Sequence, residues 1–249
     1  MQQQEKNIKG FNILELLVVI AIVGILSAAA FPNIRSWIND RDVKSSADKI
    51  KTLMQNINSQ SQRGRYAFVQ VHFQDVTNAA EGTRHLAVSS NGMKINKLMN
   101  MVNDGAHDWN SEGGNTRWCN TDDEDYWDDY GETTNTPEVG HYKFEGVAVN
   151  FINRDAAVCF STEGTYYSGI GEFSSEAGGE VSIDSVIIIC NRKAIDDFCD
   201  VNDSPLTPKP TTVENNSPIY AVNWTRFGNV TLEKWNQKAN AGAGDWVLQ

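Results

Sequence analysis

Residues 11–31 read FNILELLVVIAIVGILSAAAF, an apolar run whose single charged residue is Glu15. A helix needs about 20 mostly apolar residues to cross a bilayer, so this run is long enough to span one. The polar stretch MQQQEKNIKG precedes it, and Lys6 and Lys9 would keep the N-terminus in the cytoplasm. We therefore predict that everything after residue 32 lies on the far side of the membrane. A secretory signal peptide cleaved after the LSAAAF run is the alternative.

The stretch KGFNILELLVVIAIVGILSAAAFP resembles the class III signal of type IV pilins and type II secretion pseudopilins. The resemblance implies that residues 1–10 are a leader, that prepilin peptidase cleaves between Gly10 and Phe11, and that the new N-terminus is methylated. Glu15 would then stand at the position in the mature chain that this family requires. Gly24 and Pro32 fall at the family's usual helix-softening positions.

Glu15 is the residue with the clearest physical consequence. A carboxylate inside an apolar span costs about 2.5 to 3.5 kcal/mol on insertion scales, so it needs a partner. The resemblance supplies one, the methylated amine of Phe11 on a neighbouring subunit in a filament core. A buried ion pair adds little net stability, whereas an unpaired buried charge is expensive. Glu15 is therefore expected to fix the register of assembly more than to strengthen the filament.

Residues 33–64 are predicted to continue the helix beyond the membrane and assembly segment, residues 11–32. Pro32 has no N–H to donate, so we expect a kink or a locally loosened helix there. The stripe from Ala47 to Ile57 is expected to pack under a sheet. Apolar residues recur at helical spacing, which predicts an amphipathic helix: Ile34, Trp37, Ile38, Ala47, Ile50, Leu53, Met54 and Ile57.

Residues 65–249 are predicted to form a globular head. One long helix followed by many strands indicates an α+β fold, and the resemblance implies a pilin-like one, with the long N-terminal α-helix packed on an antiparallel β-sheet. In the first strand-like run, apolar residues alternate with Gln70 and His72, which is typical of a strand with one buried face. The runs lie at residues 65–73, 144–152, 156–161, 181–190, 219–225 and 229–235.

Two polar stretches separate these runs. Residues 74–143 are rich in Gly, Asn and Asp, and only residues 94–102 favour a short helix, so we predict a polar insertion of surface loops. Residues 202–218 are rich in proline, which favours an extended loop within the head.

The C-terminal half also resembles the GspH/FimT family of minor pseudopilins. The resemblance is carried by VCFSTEG at residues 158–164, by the apolar strand at 186–190, and by the pieces at 220–222 and 228–230. It implies a minor subunit, and residues 74–143 would be an insertion relative to that family.

All four cysteines follow the predicted membrane segment: Cys119, Cys159, Cys190 and Cys199. The predicted topology therefore places them in an oxidising compartment, where disulfides persist. Three pairings are open. The preferred one joins Cys159 to Cys190, on strands that would be neighbours, and Cys119 to Cys199; a bond between Cys190 and Cys199 is the main alternative. No CxxC motif or paired histidine indicates zinc.

An acidic run at residues 122–132 interleaves carboxylates with Tyr126 and Trp127. Oxygen clusters of this kind suit calcium, which some pseudopilins bind, but the run lacks the glycine of the calcium-loop motif. The candidate ligands are Asp122, Asp123, Asp125, Asp128 and Asp129. A solvated acidic loop that faces a basic partner is the simpler interpretation.

The formal net charge of −11 and the pI near 4.8 mean that the average field of the chain repels polyanions. Some FimT-like minor pilins bind DNA through a basic C-terminal segment. The matching region here offers only Arg226, Lys234 and Lys238, so nucleic acid is not expected as a partner. The histidines are dispersed and no nucleophile or phosphate-binding motif is present, so we expect no enzyme.

The two resemblances imply a minor pilin or pseudopilin of a type IV pilus or type II secretion filament. Its partners would be the other pilins of the filament and prepilin peptidase, and it would be held in the inner membrane before assembly, with its head periplasmic or extracellular. A major pilin is the alternative, as is a pilus-borne module that binds DNA or a surface.

Overall fold

In a computed structural model, the chain forms one long helix followed by antiparallel strands, so the predicted α+β class is confirmed. The structure describes residues 12–78, 82–103, 124–134, 136–150, 155–162, 166–168, 186–192, 198–203, 206–209, 218–225 and 228–249. The chain divides into two units, residues 1–38 and residues 39–249.

The long helix, α1, spans Ile13–Gln62, close to the predicted extent. It continues through both Gly24 and Pro32, so neither residue ends it. The predicted kink at these positions stays a prediction.

The strands are more numerous than the sequence predicts. The short helix predicted at 94–102 is confirmed as α2, Ile95–Asn103. The strands are β1 Phe68–Asn78, β2 Thr83–Met93, β3 His141–Glu145, β4 Val147–Val149, β5 Asp155–Ser161, β6 Tyr166–Ser168, β7 Val186–Asn191, β8 Val201–Asp203, β9 Leu206–Pro208, β10 Ile219–Trp224, β11 Val230–Asn236 and β12 Asp245–Leu248.

Ten of the described strands form two five-stranded antiparallel sheets where the sequence predicts one, and β8 and β9 form a separate two-stranded sheet. The first has the order β3-β2-β1-β5-β6 and the second the order β12-β11-β10-β7-β4. The run predicted as one strand at 144–152 is split at Gly146, whose φ of +72° places it in the left-handed region. Glycine adopts that conformation without steric cost, so the chain can turn from β3 in one sheet to β4 in the other.

The main core joins α1 to residues of both sheets. The predicted stripe is confirmed, because Ala47, Ile50 and Ile57 are each fully buried in one cluster with Val71 of β1 and Val222 of β10. The first members of the predicted apolar series behave differently: Ile34, Trp37 and Ile38 are 51%, 62% and 39% exposed. Helical spacing alone does not tell which turns of a long helix carry a head.

The prediction that residues 74–143 are surface loops is wrong, because this stretch contains β2, an interior strand of the first sheet. Ser90 and Asn91 on β2 are fully buried. The Asn91 side-chain amide donates to Gln70 Oε1 at 2.7 Å, and Asn91 Oδ1 accepts from the Gly131 N–H at 3.0 Å. Paired amides of this kind satisfy each other inside a sheet, so a polar composition conceals an interior strand.

The expectation that β1 has one solvent-exposed face is also wrong. Gln70 is fully buried and His72 is 4% exposed. A second apolar cluster covers this face of the sheet; it consists of Phe68, Met93, Trp127, Ala157 and Cys159.

The prolines of the predicted 202–218 loop do not prevent local pairing. Strands β8 and β9 pair there, with Val201 opposite Pro208. Residues 210–217 lie outside the described part of the chain.

Candidate functional site

The N-terminus of α1 is capped by Asn12. Asn12 Oδ1 accepts a hydrogen bond from the Leu14 N–H at 3.3 Å, and the Asn12 carbonyl accepts from the N–H groups of Glu15 at 3.0 Å and Leu16 at 3.2 Å. Asparagine is a preferred capping residue because its side-chain oxygen satisfies an orphan backbone donor. Glu15 lies in the first turn, where a negative charge is favoured by the helix dipole.

Beyond this cap, large apolar side chains are exposed on all sides of the helix. Their exposure ranges from 50% for Val18 to 78% for Ile13. A helix that is apolar all round is normally buried, either in a core or in a membrane. The set is Ile13, Leu14, Leu16, Leu17, Val18, Val19, Ile20, Ile22, Val23, Ile25 and Leu26, and we call it the apolar sleeve.

The predicted processing residues Gly10 and Phe11 lie outside the described residues. Glu15 is exposed within the apolar sleeve. A Cβ added at Gly24 would meet nothing within 4 Å, so the sleeve is open to packing at that point.

None of the helices, as far as their residues are described, has the length and hydropathy that a membrane crossing requires. The side chains of residues 28–33, which complete the predicted segment at 11–32, lie outside the described set. The membrane crossing stays a prediction.

The predicted disulfides are confirmed in kind, but the preferred pairing is wrong. Cys190 is bonded to Cys199, with a Cα–Cα distance of 5.9 Å. Cys159 lies on β5 in the first sheet and Cys190 on β7 in the second, so their strands are not neighbours. Cys159 is also disulfide-bonded, and Cys119 lies outside the described residues.

The acidic run is anchored to the head by its aromatic residues, rather than solvated throughout. Trp127 is 3% exposed and stacks on Phe68 with the ring centroids 6.3 Å apart. Tyr126 meets Trp127 edge to face at 5.1 Å. Residues 124–132 therefore lie on the second face of the first sheet, and we call them the acidic turn.

Two of the predicted calcium ligands already take part in the fold. Asp129 Oδ2 accepts from the Tyr66 hydroxyl at 2.5 Å, and Asp128 Oδ2 accepts from the Lys94 N–H at 2.6 Å. Burial, and then the bond to Asp129, raise the pKa of Tyr66 far above its usual range. Lys94 Nζ lies 3.5 Å from Asp129 Oδ2.

No cluster of three metal-binding side chains occurs among the described residues, and Asp122 and Asp123 lie outside them. The exposed carboxylates of the acidic turn belong to Glu124, Asp125 and Glu132. The calcium site stays a prediction.

Of the three basic residues in the C-terminal segment, Arg226, Lys234 and Lys238, Lys234 has a structural role. Its Nζ lies 2.7 Å from Asp40 Oδ1 and 5.4 Å from the centre of the Tyr220 ring. The Tyr220 hydroxyl donates to the same Asp40 oxygen at 3.0 Å. This contact fastens α1 to the second sheet. Lys238 is exposed, and Arg226 lies outside the described residues.

A groove that no sequence pattern predicts lies beside α1. The groove has a volume of about 350 Å³ and is lined by Arg41, Lys44, Ser45, Asp48, Lys49, Thr52 and Tyr142. Its six helical residues recur at three- and four-residue spacing, so they form one exposed face of α1, and Tyr142 comes from the edge strand β3. The spacing of Arg41, Lys44 and Lys49 is visible in the sequence, but the position of Tyr142 opposite them is not.

The fold and the sites define an α+β protein with two five-stranded antiparallel sheets and an apolar, capped N-terminal helix. No protein-family model matches the chain, and neither a curated protein nor a solved structure matches it significantly.

Proposed function

We propose that the chain is a structural subunit of a type IV pilus or type II secretion filament, most similar to the minor pseudopilins. The observation that carries the proposal is the apolar sleeve, exposed all round α1 with one carboxylate, Glu15, in its first turn. Exposed apolar area of this extent disfavours a free state in water, at about 25 cal/mol per Å². A membrane before assembly and neighbouring helices after it would each cover the sleeve.

The resemblance of the sequence supplies the processing step. Prepilin peptidase would cleave between Gly10 and Phe11 and leave a methylated amine at Phe11. The resemblance implies that this amine pairs with Glu15 of a neighbouring subunit, and Glu15 lies in the first turn of α1. Each correctly placed subunit would then pair two charges that are costly when buried alone.

Within this class, a minor subunit is the proposed role because the head is large. The unit at residues 39–249 holds two five-stranded sheets and the docked acidic turn. A major subunit must pack around copies of itself many times, and each added element limits that packing. Under the alternative, a major pilin, the protein would dominate sheared filaments by mass.

The experiment compares Glu15→Gln with wild type in cells that make the filament. The substitution keeps the shape of the side chain and removes its charge. We expect Glu15→Gln to be cleaved normally and to be depleted at least about tenfold from sheared filaments, since an unpaired buried amine costs several kcal/mol. The matched control is Glu145→Gln, at an exposed position of β3, which is expected to assemble like wild type. Normal incorporation of Glu15→Gln would contradict the proposed role.

A further inference from the structure

We propose that the groove beside α1 binds the acidic turn of a second copy of this chain. The groove and the turn both belong to the unit at residues 39–249, so the inference does not depend on the filament proposal.

The groove is a basic site on an acidic protein. Arg41, Lys44 and Lys49 line it with one carboxylate, Asp48, whereas the whole chain carries a net charge of −11. Lys44 and Lys49 are exposed on one face of α1, and Tyr142 closes the other side with 39% of its surface accessible. Lysine chains combine an apolar stem with a charged tip, so such a groove suits a carboxylate-bearing segment.

The acidic turn is the segment with the complementary charge. Its sequence, EDYWDDYGE, contains no basic residue. Glu124, Asp125 and Glu132 are exposed, while Trp127 at its centre is buried against the sheet. The burial of Trp127 holds the carboxylates on a fixed support, and pre-ordering of this kind reduces the entropy lost on binding.

Opposite charges placed in this way favour one orientation of two copies. The groove of one copy would face the turn of the other. Exposed ion pairs are individually weak, so the contact is expected to be weak in solution and sensitive to salt.

The test is a charge swap on the full chain in a non-ionic detergent, with self-association measured by sedimentation velocity at low salt. One variant, Lys44→Glu/Lys49→Glu, reverses the groove, and the other, Glu124→Lys/Asp125→Lys, reverses the turn. We expect each variant alone to associate about tenfold more weakly than wild type, and an equimolar mixture to recover the wild-type affinity. The control Lys51→Glu/Lys238→Glu changes the net charge equally outside the groove and is expected to associate like wild type.

Recovery in the mixture supports the pairing directly, because neither variant alone has a complementary groove and turn. Three results would overturn the proposal: wild-type protein that stays monomeric at low salt, single variants that associate as wild type does, or a mixture that recovers nothing. Unchanged thermal unfolding of both variants verifies that they are folded.

Discussion

Arg192 donates from Nη2 to Asp75 Oδ1 across 2.9 Å, and this contact ties the two sheets together. Asp75 lies on β1 of the first sheet, whereas Arg192 directly follows β7 of the second. Arg84 Nε lies 3.1 Å from the other oxygen of the same carboxylate, and the three side chains are at most 7% exposed. Arg192 Nε also donates to the Val147 carbonyl at 2.9 Å.

Asp75→Asn is expected to be strongly destabilising. The substitution removes the charge shared by two buried guanidinium groups, and breaking a buried pair in this way costs about 3 to 5 kcal/mol. The matched control is Asp42→Asn, because the contact of Asp42 with Arg41 is exposed and such pairs contribute at most about 1 kcal/mol. The stability of both variants is measured by urea unfolding, with tryptophan fluorescence as the signal. Equal midpoints for the two variants would contradict the assigned role of Asp75.

Gly228→Ala is expected to disrupt the packing of α1 against the second sheet. Gly228 has a φ of +78°, and a Cβ there would lie 2.1 Å from Asn58 Nδ2, which donates to the Gly228 carbonyl at 3.3 Å. The control is Gly146→Ala, where φ is +72° but nothing lies within 4 Å of the added atom. Backbone strain alone costs about 1 to 2 kcal/mol. Thermal unfolding should therefore show a larger loss at position 228, and equal losses would mean that the contact with Asn58 is unimportant.

Stability is expected to fall as the pH rises above about 10, the ordinary pKa of tyrosine. Burial, and then a hydrogen bond to a carboxylate, raise the pKa of Tyr66 and of Tyr220 far above that value in the folded chain. Between the two pKa values the unfolded chain has lost protons that the folded chain keeps, so raising the pH favours unfolding. The contribution of the two protonated tyrosines to the free energy of unfolding is fully present below about pH 10.

Tyr66→Phe provides the test of this pH dependence. It removes one titrating group, so the urea midpoint should fall less steeply between pH 9 and 11 than in wild type. The variant also loses the bond to Asp129 and should start from a lower stability at neutral pH. Parallel profiles for the two proteins would refute the role of Tyr66.

Peptide mapping without reduction should recover a fragment that joins Cys190 to Cys199. The chain has four cysteines and Cys159 is also bonded, so the second fragment is expected to join Cys159 to Cys119. Replacing Cys190 and Cys199 together by alanine should cost about 2 to 4 kcal/mol, near the lower value because the bonded residues are only 9 apart. A fragment that joins Cys159 to Cys190 would contradict the structure.

Much of the helical part of this fold could be predicted from the sequence. The apolar stripe from Ala47 to Ile57 has a period that only a helix with one buried face explains, and that face is buried. The strand-like runs could also be predicted from the sequence, since each contains a stretch of apolar or β-branched residues. Their ends shifted by a few residues, because local propensity does not fix where pairing stops.

The pairing of strands could not be predicted in this way. Ser90 and Asn91 are polar by composition, yet they lie inside β2 because partners from Gly131, Gly140 and Gln70 satisfy them. Those partners are distant in sequence, so no local pattern reports them. The expected pairing of Cys159 with Cys190 is wrong for the same reason, because no local pattern tells which sheet each strand joins.

The most direct test of the proposed function is the intact mass and N-terminal sequence of the protein recovered from cells with and without prepilin peptidase. We expect a chain that begins at methylated Phe11 when the peptidase is present, and a chain that still carries residues 1–10 when it is absent. An uncut chain in both strains, or one cut after the alanines at residues 28–30, would contradict the assignment to the pilin pathway.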